Sequence, residues 1–267
     1  MNVLLAEDNP VNQEIAAGLL EVLGCSVTVV ENGRQAVDAA RGGPFDLVLM
    51  DCEMPVMDGL EAARSIRESG AGSRRLPIIA LTAKDAEEAE GACLAAGMDG
   101  LLGKPFSRAD LASLIERWRP SPNPTCHAPS QSSTAQPNIA APDAAAEAET
   151  TALDPAPIEA LRSLDPGGER QLIQRAITKF ADYSDELVAR LGKAVGDKNS
   201  SEVARLAHSL KSSSANLGAT NLASQCAEIE RHTKNGELPE DIGQRLTALQ
   251  AAQGAARQQL LKLVGAA

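Results

Sequence analysis

Aromatic side chains make up only 2% of this 267-residue chain, so its hydrophobic cores must be built from leucine, valine, isoleucine and alanine. The five cysteines are odd in number and scattered without a CxxC pair, which argues against a disulfide framework or a zinc site and fits a reducing compartment. No apolar run approaches the ~18 residues of a membrane span, and the start of the chain lacks a signal-peptide pattern. We therefore expect a cytoplasmic protein without a membrane segment.

A basic surface is also lacking, since the formal net charge is −11. Residues 1–119 contain 11 basic and 19 acidic side chains, residues 120–152 contain three acidic and no basic ones, and residues 153–267 contain 14 of each. No part of the chain has the positive charge that neutralises phosphates along a duplex. We therefore expect no nucleic-acid partner.

A proline-rich stretch divides the chain. Eight of the 15 prolines lie between Pro120 and Pro157, where large apolar residues are rare. Such a segment cannot bury enough surface to offset the entropy lost on ordering, so we predict a disordered linker over residues 120–152. The predicted domains on either side are residues 1–119 and 153–267.

The two domains have different hydrophobic patterns. Before the linker, five short apolar runs each precede a helical pattern, at residues 3–6, 27–30, 47–50, 78–81 and 101–102. Five βα units predict an α/β, doubly wound parallel sheet whose strands are covered on both faces. After the linker only helical periods remain, at residues 169–195, 200–217, 221–233 and 239–264. They predict an all-α, antiparallel four-helix bundle.

Polar residues stand at the carboxyl ends of the predicted strands, where open parallel sheets bind ligands. Glu7 and Asp8 follow the first strand, Asp51 the third, and Thr82 and Lys104 the fourth and fifth. Alone, each would most simply be a cap or turn residue, but the full set in this order is hard to obtain by chance. Three carboxylates need a cation, and hard oxygen ligands suit Mg²⁺. The set favours Asp51 as a nucleophile toward phosphorus, with Thr82 and Lys104 holding the phosphoryl oxygens.

Residues 2–118 resemble the response-regulator receiver family through the segments "LLAEDNPVNQ", "DLVLMDCEMPVMDGLEAAR", "PIIALTA" and "GMDGLLGKPF". The resemblance covers the whole first domain. It implies a (βα)₅ fold with Asp51 as the phosphoacceptor. The implied Mg²⁺ ligands are Glu7, Asp8, Asp51 and the backbone carbonyl of Glu53.

The same resemblance implies that Thr82 and Lys104 contact the phosphate and that the Lys104–Pro105 bond is cis, which proline permits. One position departs from the family pattern. Receivers usually carry Tyr or Phe three residues before the lysine, and this chain has Leu101. Because leucine offers less bulk and no hydroxyl, we expect weak coupling between phosphorylation and a change of shape.

His208 lies in the helical segment 200–217, on the face opposite the apolar side chains. The apolar face comprises Val203, Leu206, Leu210 and Leu217. A histidine on that face would most simply be a core residue, whereas we predict that His208 faces water among small and cationic residues. Neutral imidazole is a competent nucleophile at physiological pH. We expect His127, in the linker, and His232, near a helix end, to be ordinary solvent-exposed residues.

Residues 156–264 resemble the histidine-phosphotransfer (Hpt) family through "AHSLKSSSANLGA" and "LASQCAEIE". The resemblance implies that His208 accepts a phosphoryl group and that Lys211 and Ser212 line its approach. The family usually has glycine where Ser212 stands, and serine is small enough to keep the histidine accessible.

Together the two domains predict a phosphorelay protein. An upstream histidine kinase would phosphorylate Asp51, and His208 would pass the group to a downstream response-regulator receiver. We expect no kinase activity, because no Gly-rich phosphate loop and no room for an ATP-binding domain are present. Two alternatives stay open: the chain is the C-terminal part of a hybrid sensor histidine kinase, or it is an output protein whose receiver gates partner binding without phosphotransfer.

Overall fold

The computed structural model describes residues 1–69, 75–82, 86–119, 153–164, 171–233 and 236–265. The strands are β1 (Asn2–Ala6), β2 (Ser26–Val30), β3 (Leu47–Asp51), β4 (Ile78–Thr82) and β5 (Gly100–Gly103). The helices between and after the strands are α1 (Pro10–Val22), α2 (Gly33–Gly42), α3 (Gly59–Glu68), α4 (Ala86–Ala95) and α5 (Arg108–Trp118). The second half contains α6 (Pro155–Leu164), α7 (Leu172–Gly196), α8 (Ser200–Asn216), α9 (Thr220–Thr233) and α10 (Ile242–Gly265).

The five strands form one parallel sheet in the order β2-β1-β3-β4-β5, as the alternating pattern predicts. Ala6 at the end of β1 pairs with Val30 and Met50, and Asp51 at the end of β3 pairs with Leu81. The carboxyl ends of the strands are therefore level. Side chains that follow β1 and β3 emerge at the same edge of the sheet.

Helices cover both faces of the sheet at its central strands, and side chains along each strand point alternately to the two faces. Val3 and Leu5 of β1 pack with α1 and α5, whereas Leu4 and Ala6 pack with α2, α3 and α4. All four side chains are fully buried. Two aliphatic cores thus stabilise the first domain without aromatic residues at their centre.

The prediction that every apolar run is covered on both faces is wrong for β2. This strand lies at the edge of the sheet, paired with β1 alone, and Val29 is 38% exposed. Valine favours strands through its β-branched side chain whether or not both faces are buried, so composition alone does not separate edge from centre.

The second domain is a bundle of α7, α8, α9 and α10, close to the four predicted segments, with one additional helix, α6. Asp154 precedes α6, and its Oδ1 accepts a hydrogen bond from the Ala156 backbone at 3.0 Å, while Pro155 occupies the first helical position. An acidic cap followed by proline is a helix-start signal that sequence analysis passed over. Backbone Asp154 N donates to the Gly218 carbonyl and ties α6 to the end of α8.

Helix α1 of the first domain packs against α7 and α8 of the second. The apolar cluster on the α1 side of the sheet continues through Leu172 and Ala176 into the core of the bundle. The predicted linker, residues 120–152, lies outside the described residues. Within the part of the chain that the structure describes, no helix is long and apolar enough to cross a membrane.

Candidate functional site

Three carboxylates meet at the carboxyl edge of the sheet. Glu7 and Asp8 follow β1, Asp51 ends β3, and one ligand oxygen from each lies within 4.8 Å of the others. Glu7 and Asp51 are buried, and Asp8 is half-buried. The structure therefore brings together the three acidic residues that the strand ends predict; we call them the acidic cluster.

Lys104 reaches the acidic cluster from the end of β5. Its Nζ lies 2.6 Å from Glu7 Oε2 and 2.7 Å from Asp51 Oδ2. Thr82 is buried at the end of β4, and its backbone carbonyl accepts a hydrogen bond from Lys104 N at 2.6 Å. The Lys104–Pro105 bond is cis, as the family resemblance implies.

The close packing of charged groups in and around the acidic cluster shifts their pKa values. Burial, and then the charge of Glu7, raise the pKa of Asp51 to about 6 despite the Lys104 ammonium. Burial, and then the charge of Asp51, raise the pKa of Asp8 to about 6. Burial lowers the pKa of Lys104, but the two contacting carboxylates outweigh it and hold that pKa above its ordinary value. One ammonium therefore does not balance the three carboxylates of the acidic cluster.

The donor set fits a divalent cation. Its side chains offer only carboxylate oxygens, the ligands that Mg²⁺ prefers, and the raised pKa values of Asp8 and Asp51 mark a site short of positive charge. Glu53, whose carbonyl is the predicted fourth ligand, is close to Asp51, since Glu53 N donates to Asp51 Oδ1 at 3.2 Å.

Helix α1 begins directly at the acidic cluster. Asn9 caps the helix by accepting hydrogen bonds from the backbone of Val11 and Asn12, and Pro10 follows the cap. Asn12 Nδ2 in turn donates to Glu7 Oε1 at 3.0 Å. The local sequence thus fixes the start of α1 against Glu7.

Helix α3 begins equally close to the phosphoacceptor candidate. A Cβ at Gly59 would lie 2.1 Å from the Asp51 carbonyl oxygen, so only glycine fits there. Asp58 caps the helix through a 2.7 Å hydrogen bond from Glu61 N. The Asp-Gly pair therefore keeps the β3–α3 loop tight around Asp51.

His208 lies on α8 beside Glu230 of α9, a residue that sequence analysis missed. His208 Nδ1 is 3.1 Å from Glu230 Oε1, and Lys211 Nζ is 2.5 Å from Glu230 Oε2. Burial raises the pKa of Glu230, but the hydrogen bonds from His208 and Lys211 outweigh it and hold that pKa well below its usual range. A proton on Nδ1 that bonds to this carboxylate leaves the lone pair on Nε2.

The prediction that His208 faces water is wrong, although the opposite face is apolar as predicted. Fully buried on that face are Val203, Leu206, Leu210 and Leu217. The His208 side chain is only 15% exposed, and its Nδ1 lies 3.6 Å from Glu53 Oε2 of the β3–α3 loop. Helical periodicity identifies a polar face but not a second domain that covers it.

Amide side chains join the two domains around His208. Asn12 Nδ2 donates to Ser212 Oγ at 2.9 Å, and Asn216 Nδ2 donates to Asn12 Oδ1 at 2.8 Å. Asn9 Nδ2 donates to the Ser209 carbonyl at 2.8 Å. Ser212, predicted to line the approach to His208, therefore contacts the receiver side directly.

The remaining histidines do not join this site in the described residues. His232 is exposed near the end of α9, as predicted, with Arg231 as its hydrogen-bond neighbour. His127 lies outside the described residues.

Family models match both halves of the chain. Residues 3–116 match the response regulator receiver domain, and residues 175–260 match the Hpt domain. The chain thus contains a receiver domain followed by an Hpt domain, the order found in the C-terminal part of hybrid histidine kinases. These are components of phosphorelay signalling.

Two curated relatives and one solved structure show the extent of the similarity. The sensor histidine kinase GacS of Pseudomonas protegens is 43% identical over 118 residues, covering 43% of this chain and 13% of GacS. The histidine-protein kinase BarA of Shigella flexneri is 29% identical over 251 residues, covering 93% of this chain and 26% of BarA. The receiver domain of sensor histidine kinase PA1611 from Pseudomonas aeruginosa PAO1 is 49% identical, with coverage of 44% of this chain and 95% of that one and a TM-score of 0.41. The chain spans about a quarter or less of the length of the two curated relatives, GacS and BarA.

Proposed function

We propose that this chain is a phosphorelay protein in which Asp51 accepts a phosphoryl group from an upstream histidine kinase and His208 passes it to a downstream response-regulator receiver. The observation that carries the proposal is the position of His208 against the loop that follows Asp51, with its Nδ1 3.6 Å from Glu53 Oε2. A buried aspartate and a partly covered imidazole in one docked chain are the donor and acceptor that such a transfer needs.

The transfer balances as two displacements at phosphorus. A carboxylate oxygen of Asp51 attacks the kinase phosphohistidine, so an O–P bond forms while the N–P bond breaks and its electron pair returns to the kinase imidazole. Nε2 of His208 then attacks the acyl phosphate, an N–P bond forms, and Asp51 recovers its carboxylate. Glu230 stabilises the cationic phosphoimidazole through Nδ1–H, while Thr82 and Lys104 hold the phosphoryl oxygens.

Glu7, Asp8, Asp51 and the Glu53 carbonyl would hold Mg²⁺ in this scheme. When bound, the ion supplies the positive charge that offsets three carboxylates and the phosphoryl oxygens. Lys104 remains beside Asp51 to contact the phosphoryl group as it arrives.

The alternative that the chain acts as the receiver–Hpt part of a hybrid sensor kinase has support from the comparison with BarA. That kinase aligns with 93% of this chain, while the chain covers 26% of BarA. In this arrangement the kinase that loads Asp51 would be part of the same protein, and the chemistry at Asp51 and His208 would be the same.

Labelled acetyl phosphate with Mg²⁺ tests the first acceptor. We expect Asp51→Asn to abolish labelling, because no other side chain of the acidic cluster is proposed as the nucleophile, and EDTA to abolish labelling of the wild type. Asp38→Asn, an exposed carboxylate on α2, is the matched control and should label normally. Undiminished labelling of Asp51→Asn would show that the acceptor is another residue.

A labelled kinase tests the second acceptor and the order of transfer. Acid-labile label should reach His208 only when Asp51 is present, and His208→Gln should lack it. His232→Gln is the matched control because His232 is an exposed histidine on α9. Full-rate labelling of His208 in the Asp51→Asn protein would mean that the kinase donates to it directly.

A further inference from the structure

A charged contact lies between the two domains, away from the reacting groups. Glu14 Oε1 on α1 is 2.9 Å from Arg175 Nε, and Glu14 Oε2 is 2.8 Å from Lys179 Nζ. Arg175 and Lys179 are four residues apart on α7, so they present their charges on one face of the helix. The Glu14 side chain is 12% exposed, and each of its oxygens faces its own cation.

One turn further along α1, the same contact has a steric part. A Cβ at Gly18 would lie 2.5 Å from Leu172 Cδ1, and its three closest atoms all belong to Leu172. Leu172, the first residue of α7, therefore occupies the space that the missing side chain leaves. The ion pairs and this fit together set how α1 lies along α7.

We propose that Glu14 and Gly18 on the receiver, with Leu172, Arg175 and Lys179 on the bundle, determine which receiver exchanges phosphoryl groups with His208. This inference rests on the proposed transfer between Asp51 and His208. None of these five residues belongs to the acidic cluster, and within the part of the chain that the structure describes none of them is hydrogen-bonded or ion-paired to His208. They act through the orientation of α1 and select this chain's own receiver as the partner.

The charges act chiefly by excluding wrong receivers. Arg175 and Lys179 are about half exposed, so solvent screens their attraction to Glu14. A basic residue in place of Glu14 would instead bring three cations together in this contact. Like charges across an interface penalise a wrong partner more than one ion pair favours the right one. A large side chain at position 18 would similarly collide with Leu172.

Transfer between two full-length chains tests the selection, because the linker would hide a weakened contact within one chain. The donor carries His208→Gln and is labelled on Asp51, and the acceptor carries Asp51→Asn. Glu14→Lys in the donor alone should slow labelling of His208 about tenfold, once the rate is divided by the labelled fraction of donor. Adding Arg175→Glu and Lys179→Glu to the acceptor should restore or exceed the original rate. Within each chain the receiver and the bundle then carry like charges and repel, whereas the lysine introduced at position 14 of the donor faces two glutamates of the acceptor.

Two variants control for indirect effects. Glu68→Lys reverses an exposed charge on α3 and should leave the transfer rate unchanged. Gly18→Leu should slow transfer, and Leu172→Ala in the acceptor should recover part of the loss. Equal rates for matched and mismatched charge pairs would overturn the inference while leaving the relay intact. Failure of the unexchanged chains to transfer at all would instead refute the proposed function.

Discussion

At the scale of single residues, the contact with Glu230 bears on the ring orientation and the tautomer of His208. Its carboxylate is buried between His208 Nδ1 and Lys211 Nζ, and both contacts favour the ionised form. An imidazole whose Nδ1 is engaged in this way has its nucleophilic lone pair on Nε2 and a fixed ring orientation. Glu230 is therefore a positioning residue for the proposed transfer.

We predict that Glu230→Gln slows phosphoryl gain at His208 about tenfold, a typical cost of losing a charged partner behind a reactive histidine. Labelled transfer from Asp51 measures the rate, and ¹⁵N chemical shifts of the imidazole report the tautomer. The wild type should carry its proton mainly on Nδ1, whereas Glu230→Ala should populate both tautomers. Glu228→Gln is the matched control, since Glu228 is exposed and lies two positions before Glu230 on the same helix. An unchanged tautomer in Glu230→Ala would contradict the positioning role.

Residues of the acidic cluster could be predicted because strand ends are readable in sequence and parallel strands end at one edge. Glu7, Asp51 and Lys104 meet for that reason. Glu230 could not be placed in this way, because its meeting with His208 depends on how α9 packs on α8. The sequence offered one indication of Glu230: it is the last residue of "LASQCAEIE", one of the two segments that resemble the Hpt family.

At the scale of elements, the contact between the two domains uses α1 and the β3–α3 loop, and among the described residues β5 has no comparable contact with the bundle. Leu101 of β5 is half-buried and packs with the cluster on the α2, α3 and α4 side. Leu101 therefore lies on a different part of the receiver from α1, which contacts the bundle.

We predict that phosphorylation of Asp51 changes the face formed by α4, β5 and α5 only slightly, because Leu101 has little bulk with which to distinguish two states. Leu101→Ala should leave transfer to His208 nearly intact. Amide hydrogen exchange with and without beryllofluoride measures the change of shape. Large protection changes over residues 101–118 would contradict this prediction and restore a switching role for the domain.

The sequence was sufficient to predict where most strands and helices lie, but not what packs against them. The apolar runs located all five strands, but the run in β2 did not reveal an edge, since valine satisfies strand propensity in either setting. The leucine period located α8, but it left His208 facing water because a period within one helix carries no information about another domain. The short helix α6 was hidden by the prolines that also mark the predicted linker.

At the scale of the whole molecule, the packed contact of α1 with α7 and α8 joins two separately encoded cores. Residues 120–152 connect them along the chain. Because a tethered partner has an effective concentration of about a millimolar, the proposed transfer should be intramolecular at ordinary protein concentrations.

We predict that the rate of transfer from Asp51 to His208 is independent of protein concentration in the intact chain. Cleavage at a protease site inserted near residue 140 should make it concentration-dependent, because the two parts must then find each other by diffusion. The uncut protein with the same insertion is the control. Identical concentration dependence before and after cleavage would mean that the two domains of one chain do not serve each other.

The burial of both proposed acceptors has a consequence for the timing of signal flow. In the docked chain Asp51 is 6% exposed and the His208 side chain 15%, so we expect docking to hinder the approach of an external histidine or aspartate. The relay would then run in three separate steps: loading of Asp51 by the kinase, transfer to His208 within the chain, and delivery to the next receiver. The contact between α1 and the bundle would have to open between these steps, so the rate of opening would limit the overall rate of phosphoryl transfer.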